Sequence, residues 1–354
     1  MRPSYLGPLL VALSVASVAP LLSQVPTQTD SEQITIHVTV SAHNNDPVEG
    51  LTKDDFTLID NKHPLPITDF KVLKDTQTNI VIVLDALNLP YSEVSFARQQ
   101  LVQYFSANPH LPQPTALGVL QDTGLKIQPE FTTDGNALKA QLDQSSIGLR
   151  AITPSAGVRG DEEQMQRSFN MFTGLIHQLP KEGMTRIIWI SPGWPVLGPP
   201  RLSLNSSQLP PLFANVVRMA NLLRQNKIVV DVINPGGASQ DVGQSNRYEG
   251  FMRAPRNLNE VGLGQLSLQV IALQSGGIVL NGSNDIAGQV QEAVKQTQGG
   301  YELTFTSLPG DRPNEYHELQ VKVRAAGTSV HTNAGYYARP VLSQPPHAAA
   351  SPTN

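Results

Sequence analysis

The chain has 354 residues, enough for about two domains by length alone, and its 40% hydrophobic and 15% charged content is that of an ordinary globular protein somewhat poor in charge. A net charge of −4 with a pI near 6.1 excludes the basic footprint that nucleic acid or an anionic membrane surface would require. With no cysteine, disulfides, thiolate metal sites, thiol nucleophiles and a lipoprotein anchor are excluded as well.

The first residues, Met1-Arg2-Pro3-Ser4-Tyr5, precede an apolar stretch over 6–22 that ends near the small residues Ser17 and Ala19. This pattern predicts a secretory signal peptide over 1–23 and a secreted or periplasmic protein. Gly7, Pro8 and Pro20 shorten the stretch below the ~20 residues a membrane span needs, so no span is expected after cleavage. In a β-segment over 31–75, Ile34, Ile36, Val38 and Val40 alternate with Thr35, His37 and Thr39, the period of a half-buried strand. Residues 51–60 are expected to give a short polar approach and a second strand, and 67–73 a third, separated by the turn at Asp60-Asn61-Lys62.

Between 79 and 297 strands and helices alternate. Strands are expected over 80–84, 116–120, 125–128, 186–190, 228–233 and 277–280. Helical periods run through Val94, Ala97, Leu101 and Phe105; through Met165, Phe169, Phe172, Ile176 and Leu179; through Leu212, Val216, Ala220 and Leu223; and through Ile286, Val290, Ala293 and Thr297. The expected fold class is therefore α/β: a doubly wound, mostly parallel sheet with helices on both faces. Asp122-Thr123-Gly124 reads as a tight hairpin turn that adds one antiparallel edge strand. Over 300–339 the period returns to two, with Tyr301, Leu303 and Phe305 and then Leu319, Val321 and Val323 on one side. Neither terminal segment can bury a face alone, so the two are expected to pair into one small β-domain around the α/β insertion. Residues 340–354 read as a disordered tail.

Ile80-Val81-Ile82-Val83-Leu84-Asp85 is an uninterrupted apolar strand ending in a carboxylate, and open α/β sheets bind ligands just beyond the carboxyl ends of their strands. Together with Gly50-Leu51-Thr52-Lys53-Asp54-Asp55-Phe56, Ile188-Trp189-Ile190-Ser191-Pro192-Gly193, Ser275-Gly276-Gly277 and Gly335-Tyr336, it resembles the bacterial secreted VWFA-related family. The resemblance implies a von Willebrand factor type A (vWA) domain, a Rossmann-like fold, with flanking β-segments. In that domain the first Asp, two serines, a later Thr and a later Asp hold a divalent cation through oxygen. Here Leu87 and Leu89 stand at the serine positions and Pro192 at the last acid. The implied metal site is degenerate and no cofactor is expected; a magnesium ion, if held at all, would use Asp85, Asn88, Ser92 and Thr153 with waters.

Leu87, Leu89, Tyr91 and Trp194 fall on the two loops that meet at the carboxyl edge of the sheet, where an apolar contact surface for a protein partner is expected in place of the metal. The bland alternative is that these side chains pack on one another and close the edge, and for Asp85 that it caps a helix or holds its loop. The acids Asp161, Glu162 and Glu163 fit a helix's first turn. No Gly-x-Ser-x-Gly, His-Glu-x-x-His or P-loop pattern occurs, so no catalytic residue is named. The long loops over 192–211 and 234–262 both leave carboxyl ends of strands. The sequence thus predicts an exported, non-enzymatic protein-binding module. The alternatives are a divalent-cation-dependent adhesion or assembly factor, or a cell-envelope hydrolase whose site carries no motif.

Overall fold

The computed structural model describes residues 32–43, 45–73, 78–127, 130–145, 158–194, 205–236, 248–281, 283–310 and 312–338. The expected signal peptide, the C-terminal tail and Thr153 lie outside the described residues. Among the described residues no helix is long and apolar enough to cross a membrane.

The apolar runs form one sheet of β5 (Thr78–Asp85), β6 (His110–Gln121), β7 (Gly124–Ile127), β8 (Thr132–Asp134), β9 (Met184–Ile190), β10 (Ile228–Ile233) and β11 (Val279–Leu280). The order is β11-β10-β9-β5-β6-β7, with β8 also on β6. The pairs from β11 to β6 are parallel, while β7 and β8 run antiparallel to β6. The hairpin expected at residues 122–124 is the β6–β7 turn.

Both faces of this sheet are covered, which is why its central strands are largely apolar runs, with the buried Arg186 and Asp231 pairing with each other. On one face Val81, Val83, Ile187 and Val230 pack under α3 (Val158–Gln178), α4 (Leu209–Gln225) and α5 (Leu268–Gln274). On the other, Ile80, Ile82, Leu84, Ile188 and Ile190 pack under α1 (Tyr91–Ala107), α2 (Gly135–Gln144) and α6 (Ile286–Lys295). Helices α2 and α5 are absent from the periodicity reading for different reasons. α2 offers only Leu138 and Leu142 as buried large side chains and is set by its cap, Asp134, which accepts from Asn136 N and Ala137 N. α5 is short and buried over its first five residues, so no polar face marks its period.

The remaining strands form two antiparallel four-stranded sheets. One has the order β14-β1-β12-β4, built from β14 (Thr328–Thr332), β1 (Gln33–Ala42), β12 (Gly300–Thr306) and β4 (Ile67–Val72). The other is β15-β13-β2-β3, from β15 (Gly335–Tyr337), β13 (Tyr316–Val323), β2 (Phe56–Asp60) and β3 (His63–Leu65). Gln33 pairs with Thr306 and Thr39 with Gly300, so the strand before the α/β body lies beside the strand after it. Ile34, Ile36, Val38 and Val40 from one sheet and Leu58, Leu319 and Val321 from the other share a single core. Across it Tyr301 packs against Phe56 and Phe70.

The opposite face of β1, bearing Thr35, His37, Thr39 and Ser41, turns toward the amino end of the parallel sheet. Two ion pairs bridge that seam: Lys227 Nζ to Glu302 Oε1 at 2.7 Å and Arg224 Nη2 to Glu32 Oε1 at 3.4 Å. Behind it Arg186 donates through Nε to Asp231 Oδ2 at 2.7 Å, both side chains being buried. A Cβ at Gly300 would stand 2.8 Å from His37 Nε2, so the ring could keep this place only beside glycine.

The His37 ring is partly exposed, but its Nε2 is enclosed, and burial, followed by the charges of Arg186 and Lys227, holds its pKa down to about 3. A histidine that stays neutral in the folded state while the unfolded chain binds a proton contributes stability that is complete above its ordinary pKa and drains as pH falls toward the folded value. His37→Gln removes that proton uptake from the unfolded chain. The acid-unfolding midpoint of this variant, followed by circular dichroism, is expected to move to lower pH than the parent's; an unchanged midpoint would contradict the assignment.

Candidate functional site

Asp85 ends β5 at the carboxyl edge of the sheet and is fully buried. An ionised carboxylate there needs every oxygen satisfied. Its Oδ1 accepts from Asn88 N at 2.9 Å. Its Oδ2 accepts from Asn88 Nδ2 at 2.7 Å, Trp189 Nε1 at 3.0 Å and Ser191 Oγ at 2.8 Å. Burial raises the Asp85 pKa, opposed by the hydrogen bonds from Asn88, Trp189 and Ser191. All four groups can donate, so the arrangement is complementary to the charged form.

The network continues outward. Asn88 Oδ1 accepts from Gln164 Nε2 at 2.8 Å, Asn88 Nδ2 also lies 3.0 Å from Ser168 Oγ, and Ser191 Oγ accepts from Gly193 N at 3.0 Å. The centre therefore ties together β5, its loop, α3 and the end of β9. It offers no free nucleophile with a base beside it, and its polar atoms point at one another rather than into a cleft.

The expected contact surface needs correction. Leu87 packs in the core beneath α3 and α4, Leu89 in the core beneath α1 and α6, and both are buried. Trp194 is only 3% exposed: its Nε1 donates to Leu266 O at 2.7 Å and its ring meets Trp189, Phe169 and Phe172. The physical reason is the one that makes large apolar groups leave water: beside an open sheet end, two leucines and an indole gain more by closing it than by facing solvent. Tyr91 alone of the four is on the surface, at 57% exposure, as the first residue of α1.

The candidate metal ligands are likewise divided. Asp85 and Asn88 are brought together, with their polar atoms engaged as described. Ser92 is exposed on the first turn of α1, and among the described hydrogen bonds none joins it to either. Thr153 lies outside the described residues. Among the described residues no cluster of three His, Asp or Glu could hold a metal. Because Leu87 and Leu89 supply no oxygen and Asp85 accepts from four internal donors, these residues do not fit a divalent cation. Asp85 holds its own loop; α1 begins after Pro90 without a side-chain cap.

Sequence reasoning missed Trp189, Ser168 and Gln164 as parts of this centre. The available signals were a tryptophan inside an aliphatic strand, whose N–H must find an acceptor when buried, and a serine on the apolar side of the α3 period.

No protein-family model and no curated protein matches the chain. Among solved structures, an aerotolerance-related membrane protein from Bacteroides fragilis is 17% identical over 62% of this chain and 99% of its own, with a TM-score of 0.33. The conserved hypothetical protein BatB from Bacteroides thetaiotaomicron is 18% identical over 62% and 98%, with a TM-score of 0.31. Proximal thread matrix protein 1 of the mussel byssus is 12% identical over 68% of this chain but half of its own length, again at 0.33. At such TM-scores no property is carried from these proteins to this one.

Truncating Asp85 to Ala leaves Trp189 Nε1, Ser191 Oγ and Asn88 N without their acceptor, and each orphaned buried group costs about 1–3 kcal/mol. Asp85→Ala is expected to lower unfolding stability in urea by at least about 3 kcal/mol. Asp85→Asn is also destabilising, because its amide presents N–H groups to donors. A loss below about 1 kcal/mol for both variants would refute the hub.

Proposed function

We propose that this chain is an exported, non-enzymatic protein-binding module of vWA type, in which the acid ending the first parallel strand is a structural hub and the partner is recognised without a cation. The observation that carries the reading is the Asp85 carboxylate: each of its oxygens is occupied by internal donors, in a loop whose Leu87 and Leu89 are core residues. Support for the module type comes from the order of elements, a parallel sheet whose central strand ends in that acid, set between β-segments that pair with each other. Export rests on the pattern of residues 1–23.

The surface left for recognition at the carboxyl edge centres on Tyr91, an amphipathic side chain of the kind enriched at interface anchors. It follows the end of β5, the strand that carries Asp85. Tyr91 is exposed and begins a helix, so its truncation should leave the fold intact.

Magnesium, calcium or manganese at millimolar concentration is expected to leave the melting temperature unchanged, whereas a cation bound only to the folded state would stabilise it by about 2.7 kcal/mol at one hundred times its dissociation constant. In parallel, folded Tyr91→Ala is expected to lose the envelope protein that the parent captures. A saturable metal-induced shift that Asp85→Asn removes would replace this reading with the cation-dependent one. Equal capture by Tyr91→Ala would remove the carboxyl edge as the recognition surface.

A further inference from the structure

A second concave region lies away from Asp85, where the β-sheets meet α4 and α5. Its deep part is a small apolar pocket walled by Val216 and Met219 of α4, Leu266, and Val270 and Ile271 of α5, with Tyr316 of β13 across from them. Ala254, Gln274 and Tyr316 line both this pocket and a broader groove that runs along the 252–256 segment, β2 and β13. Hydrogen bonds pin the junction. Tyr316 Oη lies 3.3 Å from Gln274 Oε1, and Tyr337 Oη donates to Pro255 O at 3.1 Å.

Three features of the groove point to a ligand class. The first is charge: Lys62, Arg253 and Arg256 line it against the single acid Glu318. Arg256 is engaged by Glu260 at 2.8 Å, while Lys62 and Arg253 are exposed and form no ion pair among the described residues. The second is exposed apolar surface on the groove wall, where Met252 is 44% exposed. The third is main chain: Arg253 lines the groove, and among the described hydrogen bonds neither its N–H nor its C=O has a partner. A free backbone donor and acceptor beside an apolar pocket is the arrangement by which extended peptides are held, main chain for affinity and pocket for specificity. Unneutralised cations along the same wall favour acidic residues next to the anchor.

We infer that this groove docks an extended acidic segment of a protein partner, with one apolar side chain seated in the pocket and carboxylates over Lys62 and Arg253. The Arg253 main chain, which has no partner among the described hydrogen bonds, matches a peptide main chain better than an acyl chain, which could not pair with it. The site shares no residue with the Tyr91 edge, so it stands or falls separately from the reading above.

The test uses the whole chain and fluorescein-labelled pentapeptides Asp-Glu-X-Asp-Glu, with X as Leu, Met, Phe or Ser, read by fluorescence anisotropy. At least one apolar X is expected to give saturable binding, with Ser at least about tenfold weaker. The surface double variant Lys62→Glu/Arg253→Glu should weaken the best peptide by at least about tenfold, while Lys126→Glu on β7 leaves it unchanged. The proposal is overturned if no peptide saturates below about 1 mM, or if the double variant binds as the parent does. Binding of phosphatidylglycerol vesicles without binding of any peptide would overturn it in favour of a lipid surface.

Discussion

The carboxylate of Asp85 is the constraint around which the α/β body is arranged. One buried negative charge at a strand end is costly unless donors converge on it, and the chain brings them from three places: the loop after β5, the interior of β9, and the residue following β9. Trp189 is the decisive partner. A tryptophan in a fully buried parallel strand fills volume on one face, and its N–H fixes which face that must be. Ser191 then relays the contact to Gly193 N, and the turn delivers Trp194 onto Phe169 and Phe172. Loop, strand and helix are thereby locked at the edge where open α/β sheets keep their ligands.

The second organising relation is between chain ends. β1 and β12 stand 7 residue pairs in register, so closing the β-sheets brings residues 33 and 306 together across the whole α/β body. The cost of closing so long a loop rises only slowly with its length, and the shared core of Ile34, Ile36, Val38, Phe305, Leu58 and Val321 offsets it. The outer face of β1 is then committed to the seam, where the neutral His37 and the bridging pair Lys227–Glu302 couple the two parts.

Much of the architecture was legible because periodicity reports burial. β5, β9 and β10 carry near-continuous apolar runs since helices cover both sides, and β1, β12 and β13 alternate since one side meets a core. β6 escaped in part: it begins at His110, six residues ahead of the apolar run, because Pro112 and Pro114 interrupt the strand signal that register with β5 and β8 restores. The site was less legible. The loss of oxygen at Leu87 and Leu89 could be read directly, but whether those side chains faced solvent or core could not, since a loop has no period. Leu87 and Leu89 enter opposite faces of the sheet, a divergence set by the loop's hydrogen bonds to Asp85 rather than by spacing. Trp194 was misassigned for the same reason: its acceptor, Leu266 O, is 72 residues away.

Asp85 has mechanical work to do: Asn88, Trp189 and Ser191 all donate to it, and it holds the loop after β5 against β9. The most direct measurement is a crystal structure of the protein soaked in manganese, with anomalous difference density calculated around Asp85. The account predicts no anomalous peak at the carboxylate, and Trp189 Nε1 and Ser191 Oγ still within hydrogen-bonding distance of it. A peak at about 2.2 Å from an Asp85 oxygen, with Trp189 or Ser191 turned away, would contradict it.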